Sequence, residues 1–168
     1  MLAMVAFMTL AVCPKAHAIE DPNPKGTVVV GAHVGFLPGI GGSAFGDFVI
    51  VDSWWKGHFT VGAELLYRHW GRHFDGYNYG YNEFAFAPRA CYGLNITDKF
   101  EVHAGLIAGF GISSWHDTFD GTKGVNPGFC GGGVAGLRYF FTKNFGVSTE
   151  FQYTGYGPYA NVGVAFKF

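Results

Sequence analysis

Within residues 159–168, Val162, Val164, Phe166 and Phe168 share one parity, and Asn161, Gly163, Ala165 and Lys167 share the other. A period of two is the signature of an extended chain, whose side chains point alternately to opposite faces. The stretch is therefore a strand with an oily side and a small or polar side. A strand of that kind constrains the rest of the chain to supply partners with the same two-faced pattern.

It does so repeatedly. The apolar and polar sets divide cleanly in the segment with Phe59, Val61, Ala63, Leu65 and Tyr67 against Thr60, Gly62, Glu64, Leu66 and Arg68. Phe100, Val102, Ala104, Leu106, Ala108 and Phe110 oppose Glu101, His103, Gly105, Ile107 and Gly109. Phe145, Val147, Thr149, Phe151 and Tyr153 oppose Gly146, Ser148, Glu150, Gln152 and Thr154. Eight strands are expected, at 26–36, 45–54, 58–70, 82–94, 99–112, 128–140, 145–155 and 159–168. The second is the least regular, because Asp47 and Asp52 fall on opposite faces and leave its register open.

The connections alternate in length. Trp55-Lys56-Gly57, the stretch 95–98 and Thr142-Lys143-Asn144 read as tight turns, whereas 37–44, 71–81 and 113–127 read as longer loops and 155–158 as a short one. Tight turns on one rim and longer loops on the other are the habit of transmembrane barrels. The fold class expected is all-β, a closed eight-stranded antiparallel transmembrane β-barrel in an up-and-down meander, with both termini on the tight-turn side.

A soluble barrel would also alternate, with the apolar side chains inside around a ligand. Its outer face would then have to be wet and densely charged, but here the polar face carries one or two charges per strand among Gly, Ala, Ser and Thr. Small residues suit the narrow lumen of eight strands. The apolar face is therefore read as lipid-facing, which places Glu64, Arg68, Arg89, Glu101, His103, Arg138, Glu150 and Lys167 in the lumen as an expected ion-pair network of three carboxylates, four strong cations and one imidazole. Such a network would fill the bore. Aromatics gather near the strand ends, with Trp54, Trp55, Tyr92, Phe100, Tyr139, Phe145 and Phe168 at one level and Phe36, Tyr67, Trp70, Phe84, Phe110, Phe129 and Tyr153 at the other, as two interfacial belts require.

Composition agrees with export and membrane insertion. Charged residues make up 14 % of the 168, below the roughly 25 % of soluble domains, and there are 27 glycines. A net charge of -1 gives no basic footprint for nucleic acid. Residues 1–18 read as a signal peptide ending in Ala16-His17-Ala18, residues 19–25 as a periplasmic lead-in, and 26–168 as the barrel. Cys91 and Cys130 fall toward opposite ends of the fourth and sixth strands, too far apart to bridge.

Three motifs point elsewhere and are outweighed. Gly131-Gly132-Gly133-Val134-Ala135-Gly136 fits a dinucleotide fingerprint, but the following Leu137-Arg138-Tyr139-Phe140-Phe141 continues as strand where a helix is needed. Ser113, Ser114, His116, Asp117 and Asp120 in one long loop, with His69 and His73 flanking another, offer nucleophile and base types without a spacing that joins them. Gly76-Tyr77-Asn78-Tyr79-Gly80-Tyr81-Asn82 supplies aromatic faces and amides suited to sugars, and equally to lipopolysaccharide headgroups, the reading preferred here. No catalytic residue, cofactor or metal is expected.

Strand count, alternation, rim asymmetry and the closing Asn161-Val162-Gly163-Val164-Ala165-Phe166-Lys167-Phe168 together resemble the small OmpA/OmpX-like bacterial outer-membrane β-barrel family. The resemblance implies a monomer in the outer membrane with periplasmic termini, surrounded by membrane lipid and lipopolysaccharide. It also implies that Val164, Phe166 and Phe168 form a C-terminal signal read by the barrel-assembly machinery. A structural or surface-interaction role is the function it favours. The alternatives are an enzyme acting on lipid A and a narrow channel for small or hydrophobic solutes.

Overall fold

The computed structural model describes residues 22–36, 39–55, 57–74, 77–117, 121–154 and 157–168. Residues 1–18, expected from the sequence to be a signal peptide, and the first part of the expected lead-in lie outside them. Eight strands follow in order: β1 (Val28–Phe36), β2 (Ile40–Trp54), β3 (Gly57–Phe74), β4 (Tyr77–Thr97), β5 (Phe100–Asp117), β6 (Lys123–Phe140), β7 (Phe145–Thr154) and β8 (Gly157–Lys167). Each pairs antiparallel with the next, and β8 returns to β1, so the sheet is a closed barrel. The seam is sealed at its end by Phe168, whose N–H donates to Val28 O at 2.9 Å while Val28 N–H donates to Phe168 O at 3.0 Å.

The alternation sorts the side chains as a membrane barrel demands. Val61, Leu65, Leu106, Phe110, Leu137, Phe151 and Val164 are exposed on the outside, and the residues that alternate with them along the same strands face the bore. Along β3, for example, Thr60, Glu64, Leu66 and Arg68 are all buried. Two apolar clusters bracket the polar interior, Val29, Phe45, Phe140 and Ala165 in one and Leu66, Ala85, Ala87, Ile107 and Cys130 in the other. Cys91 and Cys130 are both buried, free thiols. Aromatic contacts mark the tight-turn rim, where Tyr92 Oη donates to Trp54 O at 3.1 Å and to Trp55 O at 3.0 Å, and Phe145 packs on Phe166 at 5.3 Å between centroids.

Two features differ from the sequence reading. The three segments taken as long loops are mostly ladder, since β3 to β6 run 18, 21, 18 and 18 residues against 9, 15, 10 and 11 for β1, β2, β7 and β8. The alternation of Tyr77, Tyr79 and Tyr81 with Asn78, Gly80 and Asn82 is itself strand-like, and β3–β4 pairing continues to Phe74↔Tyr77. One half of the barrel thus rises as a four-stranded wall above a low rim made by β1, β2, β7 and β8. Trp70 shares the parity of the buried Arg68, so it belongs to the inner face of that wall and not to a lipid-facing belt.

The second difference concerns β2. Its pairing with β3 slips between Val49 and Val51 and again before Trp54, and Ser53 and Trp55 have positive φ angles of 53° and 51°. Bulges of this kind insert extra residues and break the two-residue period. Asp47, before the slip, is buried in the lumen, whereas Asp52, after it, lies at the rim and accepts a hydrogen bond from Lys25 N–H at 3.0 Å.

Close strand approach fixes certain glycines. A Cβ at Gly132 would run into Tyr153 O, while one at the adjacent Gly133 would meet nothing nearer than Gly105 O at 3.8 Å. Gly132→Val is therefore expected to abolish the heat-modifiable folded band on a semi-native gel, and Gly133→Val to leave it intact.

Candidate functional site

The inward parity of six strands converges at mid-height on one cluster: Asp47 from β2, Glu64 from β3, Arg89 from β4, Glu101 and His103 from β5, Arg138 from β6, and Glu150 and Gln152 from β7. Arg89 is its hub. Its Nε and Nη2 donate to the two oxygens of Asp47, each at 2.7 Å. Its Nη1 and Nη2 also reach Glu150 Oε2 and Oε1 at 3.0 and 2.9 Å, and Nη1 reaches Glu64 Oε2 at 3.3 Å. Paired, near-parallel contacts of this kind are the strong form of the guanidinium–carboxylate bond.

Arg138 ties in the other side. Its Nη2 donates to Asp47 Oδ2 at 2.6 Å and its Nη1 to Glu101 Oε1 at 3.1 Å. Asp47 therefore bridges the two guanidiniums. His103 Nε2 lies 3.0 Å from Glu150 Oε1, and Gln152 Nε2 donates to both oxygens of Glu64 at 2.9 and 2.8 Å. The Phe45 ring lies against both arginines, 4.6 Å from Arg89 Cζ and 5.0 Å from Arg138 Cζ. The side chains of Asp47, Glu64, Arg89 and Glu150 are 0 % exposed, so the ions have exchanged water for one another. Such an exchange holds only when the remaining lone pairs and protons are also engaged.

Of the eight lumen residues named from the sequence, Glu64, Arg89, Glu101, His103, Arg138 and Glu150 meet here, and two do not. Arg68 lies farther up the bore, 3.9 Å from Glu83 Oε2 and with its Cζ 4.0 Å from the Tyr159 ring centroid. Lys167 sits at the tight-turn rim, where Nζ is 3.4 Å from Pro22 O and 4.4 Å from the Phe140 ring centroid. The expected surplus of cations is accordingly replaced at the centre by four carboxylates, Asp47, Glu64, Glu101 and Glu150, around two arginines. The residue that changes the balance is Asp47, which the bulges of β2 hid from a parity argument. Glu83 was legible, because it shares the parity of Arg89 on β4.

Nothing in the sequence pattern foretold the contribution of the lead-in. Asn23 is buried, and its Nδ2 donates to Glu101 Oε2 at 2.9 Å and to Asn95 Oδ1 at 3.2 Å. The segment before β1 thus tucks into the tight-turn end of the bore and contacts the base of the ionic cluster. His58 Nε2 approaches the same Glu101 Oε2 at 3.8 Å.

Ser113 Oγ donates to Asn126 O at 3.2 Å, and His69 Nδ1 lies 2.9 Å from Asn82 Oδ1. Asp120 and the side chain of His73 fall outside the described residues. The Gly131-to-Gly136 motif lies wholly within β6, with no helix after it. His33, Glu64 and Glu150 bring potential metal ligands within 4.8 Å of one another, but the positive charge already at those two carboxylates is the Arg89 guanidinium. The proposed assembly residues Val164, Phe166 and Phe168 point outward and are exposed.

No protein-family model and no curated protein matches the chain. Solved structures do. Ail, the attachment invasion locus protein of Yersinia pestis, solved with the heparin analogue sucrose octasulfate, aligns with a TM-score of 0.58 at 12 % identity over 86 % of this chain and 99 % of Ail. The N-terminal β-barrel domain of Pseudomonas aeruginosa OprF gives 0.54 at 20 % identity, over 86 % and 98 %, and Neisserial surface protein A gives 0.53 at 10 % identity, over 84 % and 94 %. The chain has the fold of the small eight-stranded outer-membrane β-barrels of the OmpA/OmpX-like type.

Removing the hub should leave several carboxylates facing one another without their shared cation. Arg89→Met is expected to lower stability by about 3 to 5 kcal/mol, read as the urea midpoint of unfolding from detergent or vesicles. Lys143→Met, on an exposed turn, should leave the midpoint unchanged.

Proposed function

We propose that the protein is an integral outer-membrane barrel that acts through its surface, as a structural or interaction protein, with its lumen closed by the ionic cluster. The observation that carries this reading is the burial of Asp47, Glu64, Arg89, Arg138 and Glu150 across the bore, with Asn23 filling the end below. A solute crossing the barrel would have to part several charge-assisted hydrogen bonds at once. In this reading the tight turns and both termini face the periplasm and the four-stranded wall stands on the outside, among lipopolysaccharide headgroups. The barrel works as a monomer and is inserted by the barrel-assembly machinery through its Val164, Phe166 and Phe168 strand, and it performs no chemistry.

Two experiments bear on this. Purified protein reconstituted in planar bilayers should give no resolvable single-channel openings, and a steady unitary conductance would replace the plug with a conduit. Deleting Phe168 removes both hydrogen bonds to Val28 along with the terminal aromatic, so the folded protein recovered from outer-membrane fractions should fall several-fold. Wild-type levels of the truncated protein would show that the terminal residue carries no assembly information.

A further inference from the structure

Above the plug, the inner face of the tall wall meets the low rim in a cleft of about 320 Å³. Trp70, Tyr79 and Tyr81 wall it, Gly39 borders it on the low side, Arg68 and Glu83 form its floor, and His69, whose Nδ1 is engaged by Asn82 Oδ1 at 2.9 Å, completes the lining. Trp70 and Tyr79 meet edge to face at 5.5 Å between centroids. The volume is at the lower end of the range for small-molecule sites.

The floor differs from the plug in one respect. In the plug, arginine and carboxylate atoms meet at hydrogen-bond distance. Here Arg68 and Glu83, cross-strand neighbours on β3 and β4, stand 3.9 Å apart, too far to share a proton. Arg68 Nε and Nη2, both Glu83 oxygens and the Tyr159 hydroxyl are buried without a hydrogen-bond partner, on side chains whose residues are 5 %, 1 % and 1 % exposed. The Tyr159 ring, seated where a Cβ at Gly35 or Gly41 would collide with it, lies against the guanidinium, with its centroid 4.0 Å from Arg68 Cζ. Buried polar groups are normally satisfied, so the unpartnered Arg68 donors and Glu83 acceptors on the floor call for a ligand that carries both and settles onto them, whereas Tyr159 lies outside the lining.

The chemistry selects among ligands. An anion would face Glu83, a cation would face Arg68, and an apolar molecule would strand both. A small zwitterion such as glycine would satisfy the two charges but leave three aromatic walls bare. A neutral pyranose matches every surface, because vicinal hydroxyls can accept from the guanidinium while donating to the carboxylate, and the flat C–H face of the ring covers indole or phenol. We infer that this cleft is a saccharide-binding site for a neutral pyranose unit. The inference deepens the surface-interaction reading by naming a ligand class, and it rests on that reading for the outward orientation of the wall. A pyranose presented there comes either from lipopolysaccharide of the same membrane or from a glycan outside the cell.

The test uses the full mature chain refolded in detergent micelles free of lipopolysaccharide. Saturation-transfer NMR is recorded with methyl glucoside, galactoside and mannoside, with N-acetylglucosamine, and with glycine as the zwitterion control. At least one pyranose should receive saturation and glycine none. The signal should vanish in Trp70→Ala, and apparent affinity should fall about tenfold or more in Glu83→Gln, which strips an acceptor from a hydroxyl-reading site. Tyr79→Ala serves as a second wall variant should Glu83→Gln fail to refold. Core oligosaccharide released from lipopolysaccharide by mild acid, competed against the methyl glycosides, separates the two sources. No transfer from any sugar to a heat-modifiable, folded barrel, or equal transfer in Trp70→Ala, would overturn the site. Labelling of Lys123 on intact cells with a membrane-impermeant amine reagent reports the orientation of the wall separately.

Discussion

Backbone hydrogen bonding is the constraint from which the architecture follows. In hydrocarbon an unpaired N–H or C=O has no water to turn to, so a sheet can cross only if it has no edge. Eight strands in a meander solve this by returning β8 to β1 along eight residue pairs, from Val29↔Lys167 to Phe36↔Ala160. Once the sheet closes, each strand has one face in acyl chains and one in the bore. The period-two division of side chains is a consequence of that geometry.

The same closure explains why the interior is ionic and why its charges turn to one another. A bore of eight strands has room for side chains and little else. Arg89 and Arg138 present planar donor arrays that can serve several carboxylates at once, which a lysine ammonium would do less well. Asp47, short and bridging both, converts two local pairs into one cluster that joins β2 to β4, β6 and β7. Its partners lie 42 and 91 residues away in the chain, so the cluster ties together strands that are not neighbours in the sheet.

The fold was largely legible because its determinant, parity, is written residue by residue: the inward sets on the third, fifth and seventh strands read from the sequence are the ones that face the bore. Parity fails where the period is interrupted, and it did so at β2, where two register slips concealed Asp47. Parity also continues into the tall ends of β3 to β6. There glycine, tyrosine and asparagine look like loop residues by composition, although their order alternates as in the strands below. Asn23 lay beyond its reach altogether, since a short polar segment carries no periodicity and its place is set by the charge of Glu101 waiting at the bore's end.

The unequal strand heights leave two borders of the wall without a ladder partner among the described residues. β3 pairs with β2 only as far as His69↔Ile40, and β6 pairs with β7 only as far as Gly132↔Thr154. Bare strand borders invite a second sheet to zip onto them, the usual origin of edge-to-edge aggregation, and natural proteins discourage it with proline and charge. The β6 border carries Pro127, which has no N–H to offer, and Lys123; the β3 border carries Arg72. Crowded side by side in a membrane, copies of this barrel would meet mutual repulsion and a missing donor at the two places where they could otherwise have polymerised.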